Sequence, residues 1–203
     1  MKEVCCFICN QKYLQKFLTT YNNLRNNGKY NGDVLLIVGN DLKDYKKEGL
    51  IVKYFPDIEF PKETYDSLTK VKTCDGRNIN KYFQWHKLYI FDVYLKQWDV
   101  VFYIDAGMKI MNDIRPILNS FKKEKLLAHD DAMIDGEYHY DKMRLKNVFD
   151  EKFTKEYEKL NENYDLTSHY FQTGIMLFDT NIIEENTFKE LYELVIKYPI
   201  TKT

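Results

Sequence analysis

A chain of 203 residues is long enough to fold as one domain around a sizeable core. Its 44% apolar and 30% charged residues fit a globular protein, and a net charge of -1 lacks the basic excess of a nucleic-acid binder. No apolar stretch approaches the roughly 18 residues of a membrane span, and the apolar part of Met1–Asn10 is too short for a signal peptide, so the expected compartment is the cytoplasm.

Val4 to Cys9 reads as a first buried strand, and Asn10 suits the cap of the helix after it. Leu14, Phe17, Leu18, Tyr21 and Leu24 recur on one helical face, with Gly28 as the stop. Asp33 to Val38 and Ile51 to Phe55 are two further strands, joined by a short polar helix over Asp41 to Glu48. Alternating strands and helices predict an α/β fold, a mainly parallel sheet with helices on both faces. Cys6 and Cys9 have C-x-x-C spacing, but inside a strand and without a second pair; they read as buried free thiols.

Thr64 to Asn80 is polar and weakly patterned and predicts a loop, with Cys74 to Arg77 as a turn. Lys81 to Lys96 is apolar on most sides and predicts a buried helix. Lys87 is conspicuous there; on these residues alone it snorkels to solvent.

Val100 to Ile104 is a continuous apolar run and predicts a strand buried on both faces. It ends on Asp105, with Ala106 and Gly107 leaving room for a ligand. Ligands collect at the carboxyl ends of strands in such sheets, although an Asp there also starts turns. A helix from Asn112–Asp113 to Phe121 and a short strand, Lys125 to Ala128, lead to His129-Asp130-Asp131. The charged, Tyr-rich stretch at about 135–163 predicts helical pieces of an insertion. Ile175 to Phe178 is a last strand and Glu184 to Lys197 an amphipathic helix on Phe188, Leu191, Leu194 and Val195.

In this order the pieces resemble the GT-A nucleotide-sugar glycosyltransferases, especially the glycogenin-like and galactosyltransferase-like group, family 8. Phe7 to Tyr13 resembles the first-strand segment that cradles the nucleotide base. Trp85 to Phe91 resembles the segment whose basic residue faces the donor. Val101 to Gly107 resembles the strand carrying an Asp-x-Asp motif, and Tyr170 to Phe178 the Tyr-Phe-Asn-Ser-Gly-Val strand. The resemblance implies a single domain over 1–203 that moves a sugar from a UDP-sugar to a glycan, protein or small-molecule acceptor. Cys9, Asn10, Tyr13, Ile104, Ala106, Gly107, Thr173 and Gly174 would line the donor site. Asp105 would meet the ribose or a Mn²⁺ or Mg²⁺ ion, and Asp130 or Asp131 the sugar hydroxyls. Gln172 would sit near the reacting carbon, so Asp105, Asp131 and Gln172 are the candidate catalytic residues.

Two departures stand out. Gly107 occupies the place of the motif's second carboxylate, and the chain stops before the family's Asp-Gln pair and metal-binding His would follow. One carboxylate would have to borrow its other metal ligands from diphosphate and water. Alternatively Lys87 or Arg77 balances the diphosphate directly. A non-catalytic or truncated binder of nucleotide sugars is the second reading. A dehydrogenase or nucleotidyltransferase is disfavoured, because the eight Gly form neither G-x-G-x-x-G nor a P-loop.

Overall fold

The computed structural model describes residues 1–69, 82–129, 133–134, 137–138, 154–168 and 171–199. Among the described residues eight strands run in chain order: β1 (Glu3–Cys9), β2 (Asp33–Val38), β3 (Ile51–Tyr54), β4 (Val100–Ile104), β5 (Leu126–His129), β6 (Met133–Ile134), β7 (Glu137–Tyr138) and β8 (Gln172–Asp179). The α-helices are α1 (Leu14–Asn26), α2 (Lys62–Thr69), α3 (Arg115–Leu118), α4 (Thr154–Asn161) and α5 (Thr187–Lys197). The chain forms two compact units: Met1–Ile58, His86–Ala128 and Thr173–Phe188 in one, and Glu59–Trp85, His129–Gln172 and Lys189–Thr203 in the other.

The first unit is built on a six-stranded sheet of order β3-β2-β1-β4-β8-β5. β1 pairs in parallel with β2 and β4, β2 in parallel with β3, and β8 runs antiparallel to β4. The expected central strands are therefore present and parallel. Alternation along each strand divides the core. Cys5, Phe7, Val34, Leu36, Phe102 and Ile104 join the cluster that α1 covers through Phe17 and Leu24. Phe7 meets Phe17 edge-on at 5.3 Å. Cys5, Cys6 and Cys9 are free thiols, and the expected burial of Cys6 and Cys9 is observed.

Tyr103 has the opposite parity in β4 and lies beneath Lys87; Lys87 belongs to a run of 3₁₀ turns, Tyr82–Phe91 followed by Val93–Gln97. Phe91 packs on Phe178 at 5.2 Å, and the Lys87 ammonium lies 5.5 Å from the centre of the Tyr103 ring. This segment corrects the continuous buried helix expected over Lys81 to Lys96. Its aromatic run has modest helix propensity. At Asp92 the backbone is extended and the carboxylate accepts the Tyr94 N–H at 2.8 Å, starting a new turn.

Other expectations also shift. The polar helix over Asp41 to Glu48 reduces to one 3₁₀ turn, Asn40–Leu42. The Asp41 carboxylate accepts the Gln11 N–H at 2.9 Å, which ties this turn to the end of β1. The loop expected from Thr64 begins instead as α2, whose first turn carries Glu63 and follows Pro61, both helix-start signals. Only Arg115–Leu118 is helical in the expected helix to Phe121. α5 starts at Thr187, where the hydroxyl accepts the Glu184 N–H at 2.8 Å. Gly28 ends α1 by close approach: a Cβ there would stand 2.6 Å from the Leu24 carbonyl oxygen.

In the second unit, Phe60 stacks on Tyr192 at 5.3 Å and meets Trp85 and Tyr82 edge-on. β6 and β7 form an antiparallel pair. α4 falls within the expected insertion, whose remaining residues lie largely outside the described ones. Among the described residues no helix is long and apolar enough to cross a membrane.

Candidate donor site

Two parallel strands bring the candidate residues to one rim of the first unit. β1 and β4 are in register from Glu3 with Val100 to Cys6 with Tyr103. Asn10 and Asp105 thus leave the sheet at the same C-terminal edge, where open α/β sheets place their ligands.

Asp105 is held from three directions. Lys87 Nζ stands 2.8 Å from Oδ1 and 3.0 Å from Oδ2, and the Tyr103 hydroxyl donates to Oδ1 at 2.5 Å. The Asp105 N–H donates to the Gly174 carbonyl of β8 at 2.8 Å. Lys87 also donates to the Thr173 carbonyl at 3.3 Å and to its hydroxyl at 3.2 Å. Lys87 therefore does not snorkel freely; a carboxylate and a threonine fix it, with a quarter of its side chain (25%) exposed. Burial first, then the charge of Asp105 and its hydrogen bond, push the Tyr103 phenol well above its usual range. Tyr103 is thus a permanent donor to Asp105.

The turn after β4 is anchored to α1. The Gly107 N–H donates to the buried Thr20 hydroxyl at 3.0 Å, and that hydroxyl donates to the Met108 carbonyl at 2.9 Å. Asn27 Nδ2 donates to the Ile110 carbonyl at 2.9 Å. Gly107 has φ +110°, a region L side chains rarely enter, although a Cβ there would meet nothing closer than Lys16 Cδ at 3.6 Å. Beside this turn lies a groove of about 570 Å³ lined by Tyr13, Lys16, Thr20, Asp105, Ala106 and Lys109 among others. A second groove, near Lys43, Lys47 and Tyr54 at the sheet's β3 edge, contains no strand-end carboxylate.

Asn10 performs the capping role expected of it, accepting the Tyr13 N–H at 3.1 Å; the element capped is a 3₁₀ turn, Gln11–Tyr13. Cys9 is buried and its thiol donates to the Asn10 carbonyl at 3.1 Å. Ile104 is core, and Gly174 lies close against Met108 and Asp105. Gln172 opens β8 at an exposed position. Arg77, Asp130 and Asp131 lie outside the described residues. Sequence reasoning missed Tyr103 and Thr20. Tyr103 carries a signal, since i and i+2 of a strand share a face; Thr20 is a polar residue on the buried stripe of α1.

A six-stranded, mostly parallel sheet of this kind is the GT-A glycosyltransferase architecture. The model of glycosyl transferase family 8 matches residues 4–202, and the chain belongs to that family. Galactosyltransferase LgtC in complex with donor and acceptor sugar analogues is similar in structure, with TM-score 0.59 and 12% identity over 96% of this chain and 64% of that one. An active-site mutant of LgtC gives TM-score 0.61 at 13% identity, again over 96% and 64%. The bifunctional glycosyltransferase WbbM, in its apo form, gives 0.59 at 14% identity over 98% of this chain and 36% of its own. At these identities the likeness is one of fold, and this chain spans under two thirds of each neighbour's length. Comparison with curated proteins gives no match.

GT-A enzymes of this family typically use a divalent cation. The described residues do not fit one: no three His, Cys, Asp or Glu side chains converge among them. Asp105 already holds an ammonium on both oxygens, and Gly107 contributes no side chain.

Proposed function

We propose that this chain is a glycosyltransferase domain that transfers a hexose from a nucleotide-sugar donor, a UDP-sugar, to an acceptor hydroxyl. The observation that carries this reading is Lys87, a fixed cation clamped between Asp105 and Thr173 at the strand-end rim. A diphosphate leaving group develops negative charge as the sugar C1–O bond breaks, and a preorganised cation stabilises that charge without reorganising. The bond's electron pair goes to the diphosphate, the acceptor oxygen bonds C1, and the hydroxyl proton passes to solvent.

Asn10 and Tyr13 would border the base, and Asp105 the ribose. Cys9, Ile104, Ala106, Gly107 and Gly174 would shape the wall. The roles that the resemblance gives Gln172, Asp130, Asp131 and Arg77 are part of the same proposal, as is a single domain over 1–203. A cytoplasmic location is part of the same proposal.

A panel of nucleotide sugars screened by thermal shift tests the reading, because a ligand that binds only the folded state raises its melting temperature. UDP-sugars should shift the transition; a panel with no shift at millimolar ligand refutes the proposal. Gly107 in place of a motif carboxylate favours a second reading, a non-catalytic binder. Donor hydrolysis separates the two, since only the enzyme releases free sugar.

A further inference from the structure

We propose that Lys87 takes the place of a divalent cation in this chain, so that nucleoside diphosphate binding needs no metal. The inference deepens the donor-site reading and rests on it.

Three features carry it. The first is occupancy of the carboxylate. Oδ1 of Asp105 receives Lys87 at 2.8 Å and Tyr103 at 2.5 Å, and Oδ2 receives Lys87 at 3.0 Å. A divalent ion on Asp105 would have to displace the ammonium and then face it at close range, like charge against like. The second is the backbone two residues on. Gly107 sits at φ +110° with its N–H committed to Thr20, so the strand end is shaped for glycine and not for a second carboxylate. The third is that no other group of ligating side chains converges among the described residues.

Lys87 is equipped for the task. An ammonium carries three protons. Asp105, the Thr173 hydroxyl and the Thr173 carbonyl each take one, and a diphosphate oxygen would displace the longest of these bonds, to the carbonyl at 3.3 Å, while Asp105 and the hydroxyl keep the ammonium in place. A compact ammonium is a standard partner for phosphate. Toward the diphosphate, Asp105 is then a positioning residue: there it acts through Lys87, and Tyr103 fixes its orientation.

The full 203-residue chain should be titrated calorimetrically with UDP, GDP, CDP and ADP, and with the matching nucleosides, in EDTA and then in Mn²⁺. At least one diphosphate should bind in EDTA with an affinity within about threefold of that in Mn²⁺. Lys87→Met should weaken that diphosphate at least about tenfold, the scale of a lost charge-assisted hydrogen bond. The matching nucleoside should lose less than about twofold, which also reports that the variant is folded. Lys87→Arg keeps the charge and should retain most of the affinity. Thr173→Val should weaken the diphosphate but not the nucleoside. If a diphosphate binds only with Mn²⁺, or Lys87→Met binds it like the parent, the inference is overturned while the donor reading stands. If no diphosphate binds under any condition, the donor reading falls and the inference with it.

Discussion

Tyr103 donates its phenolic proton to Oδ1 of Asp105 at 2.5 Å, from two residues earlier on the same strand. The period of the strand puts both on the face covered by the Lys87 segment, opposite α1. The first is core and the second reaches the rim. A buried tyrosine thereby holds a partly exposed carboxylate, which in turn holds Lys87. Tyr103→Phe removes that donor with little change in shape. The variant should be about 1.5–3 kcal/mol less stable in urea, the usual worth of a hydrogen bond to a charged group. Equal midpoints for variant and parent would mean that the phenol is only a space-filler.

Gly107 tests the turn beyond Asp105. Space exists for a side chain, with Lys16 Cδ at 3.6 Å, but φ +110° does not suit one. Gly107→Ala and Gly107→Asp should therefore both destabilise, by about 1–3 kcal/mol each, and Gly107→Asp should not bind Mn²⁺ in paramagnetic resonance titrations. If Asp at this position gains a tight metal while Ala does not, the backbone can relax and the strain argument is wrong.

Thr20 joins that turn to α1. Its hydroxyl accepts the Gly107 N–H at 3.0 Å and donates to the Met108 carbonyl at 2.9 Å. Thr20→Val keeps the volume but removes both hydrogen bonds to the turn, whose N–H and carbonyl can turn to water, a loss of about 0.5–1.5 kcal/mol in urea denaturation. Amide hydrogen exchange should quicken at Gly107 and Met108. Unchanged exchange would place the turn's rigidity elsewhere.

The strands were the most legible part of the sequence. Asp33–Val38 and Val100–Ile104 are read from their residues to the exact bounds observed, and the first strand to within one residue. Burial on both faces turns a parallel strand into an unbroken apolar run, and polar residues mark its ends. The segment Tyr82–Phe91 reads as α-helix but forms 3₁₀ turns, because apolar richness does not distinguish helix types. α2 is hard to read from the sequence because its residues are polar, and only Pro61 and Glu63 signal its start. Asp105 was legible as a strand-end carboxylate. Its partner Lys87 was legible only through family resemblance, since 18 residues separate the two and no local rule pairs them.

The buried thiols predict alkaline lability. Burial pushes the Cys9 thiol up to about 12 and holds Cys5 and Cys6 above their usual range as well. In the unfolded chain these thiols ionise near 9.0, so between that pH and the folded values the unfolded state holds fewer protons. Stability is therefore full below pH 9 and declines as pH rises beyond it. Urea midpoints should fall steadily from pH 9 to 11, and native Cys5, Cys6 and Cys9 should resist thiol reagents at pH 8. Rapid labelling of all three without denaturant would contradict their burial.

His86 predicts the opposite limb. Its ring is buried and meets Tyr89 edge-on at 4.8 Å, next in sequence to Lys87. Burial lowers its pKa from 6.5, while a hydrogen bond with the Val38 backbone and the charges of Asp57 and Asp41 act in the other direction. The folded protein thus keeps this imidazole neutral where the unfolded chain takes up a proton. Between the lowered folded pKa and 6.5, the unfolded state binds more protons, so stability falls as pH drops through this window and is restored above it. Urea midpoints of the parent should decrease from pH 7.5 to 5.5. His86→Gln removes the titrating group and keeps a polar side chain, so its midpoint should change less over the same interval, whatever its absolute stability. The difference between the two profiles isolates His86 from the other three histidines. Parallel profiles for parent and variant would show that His86 does not resist protonation in the folded state, and the burial argument for this position would fail.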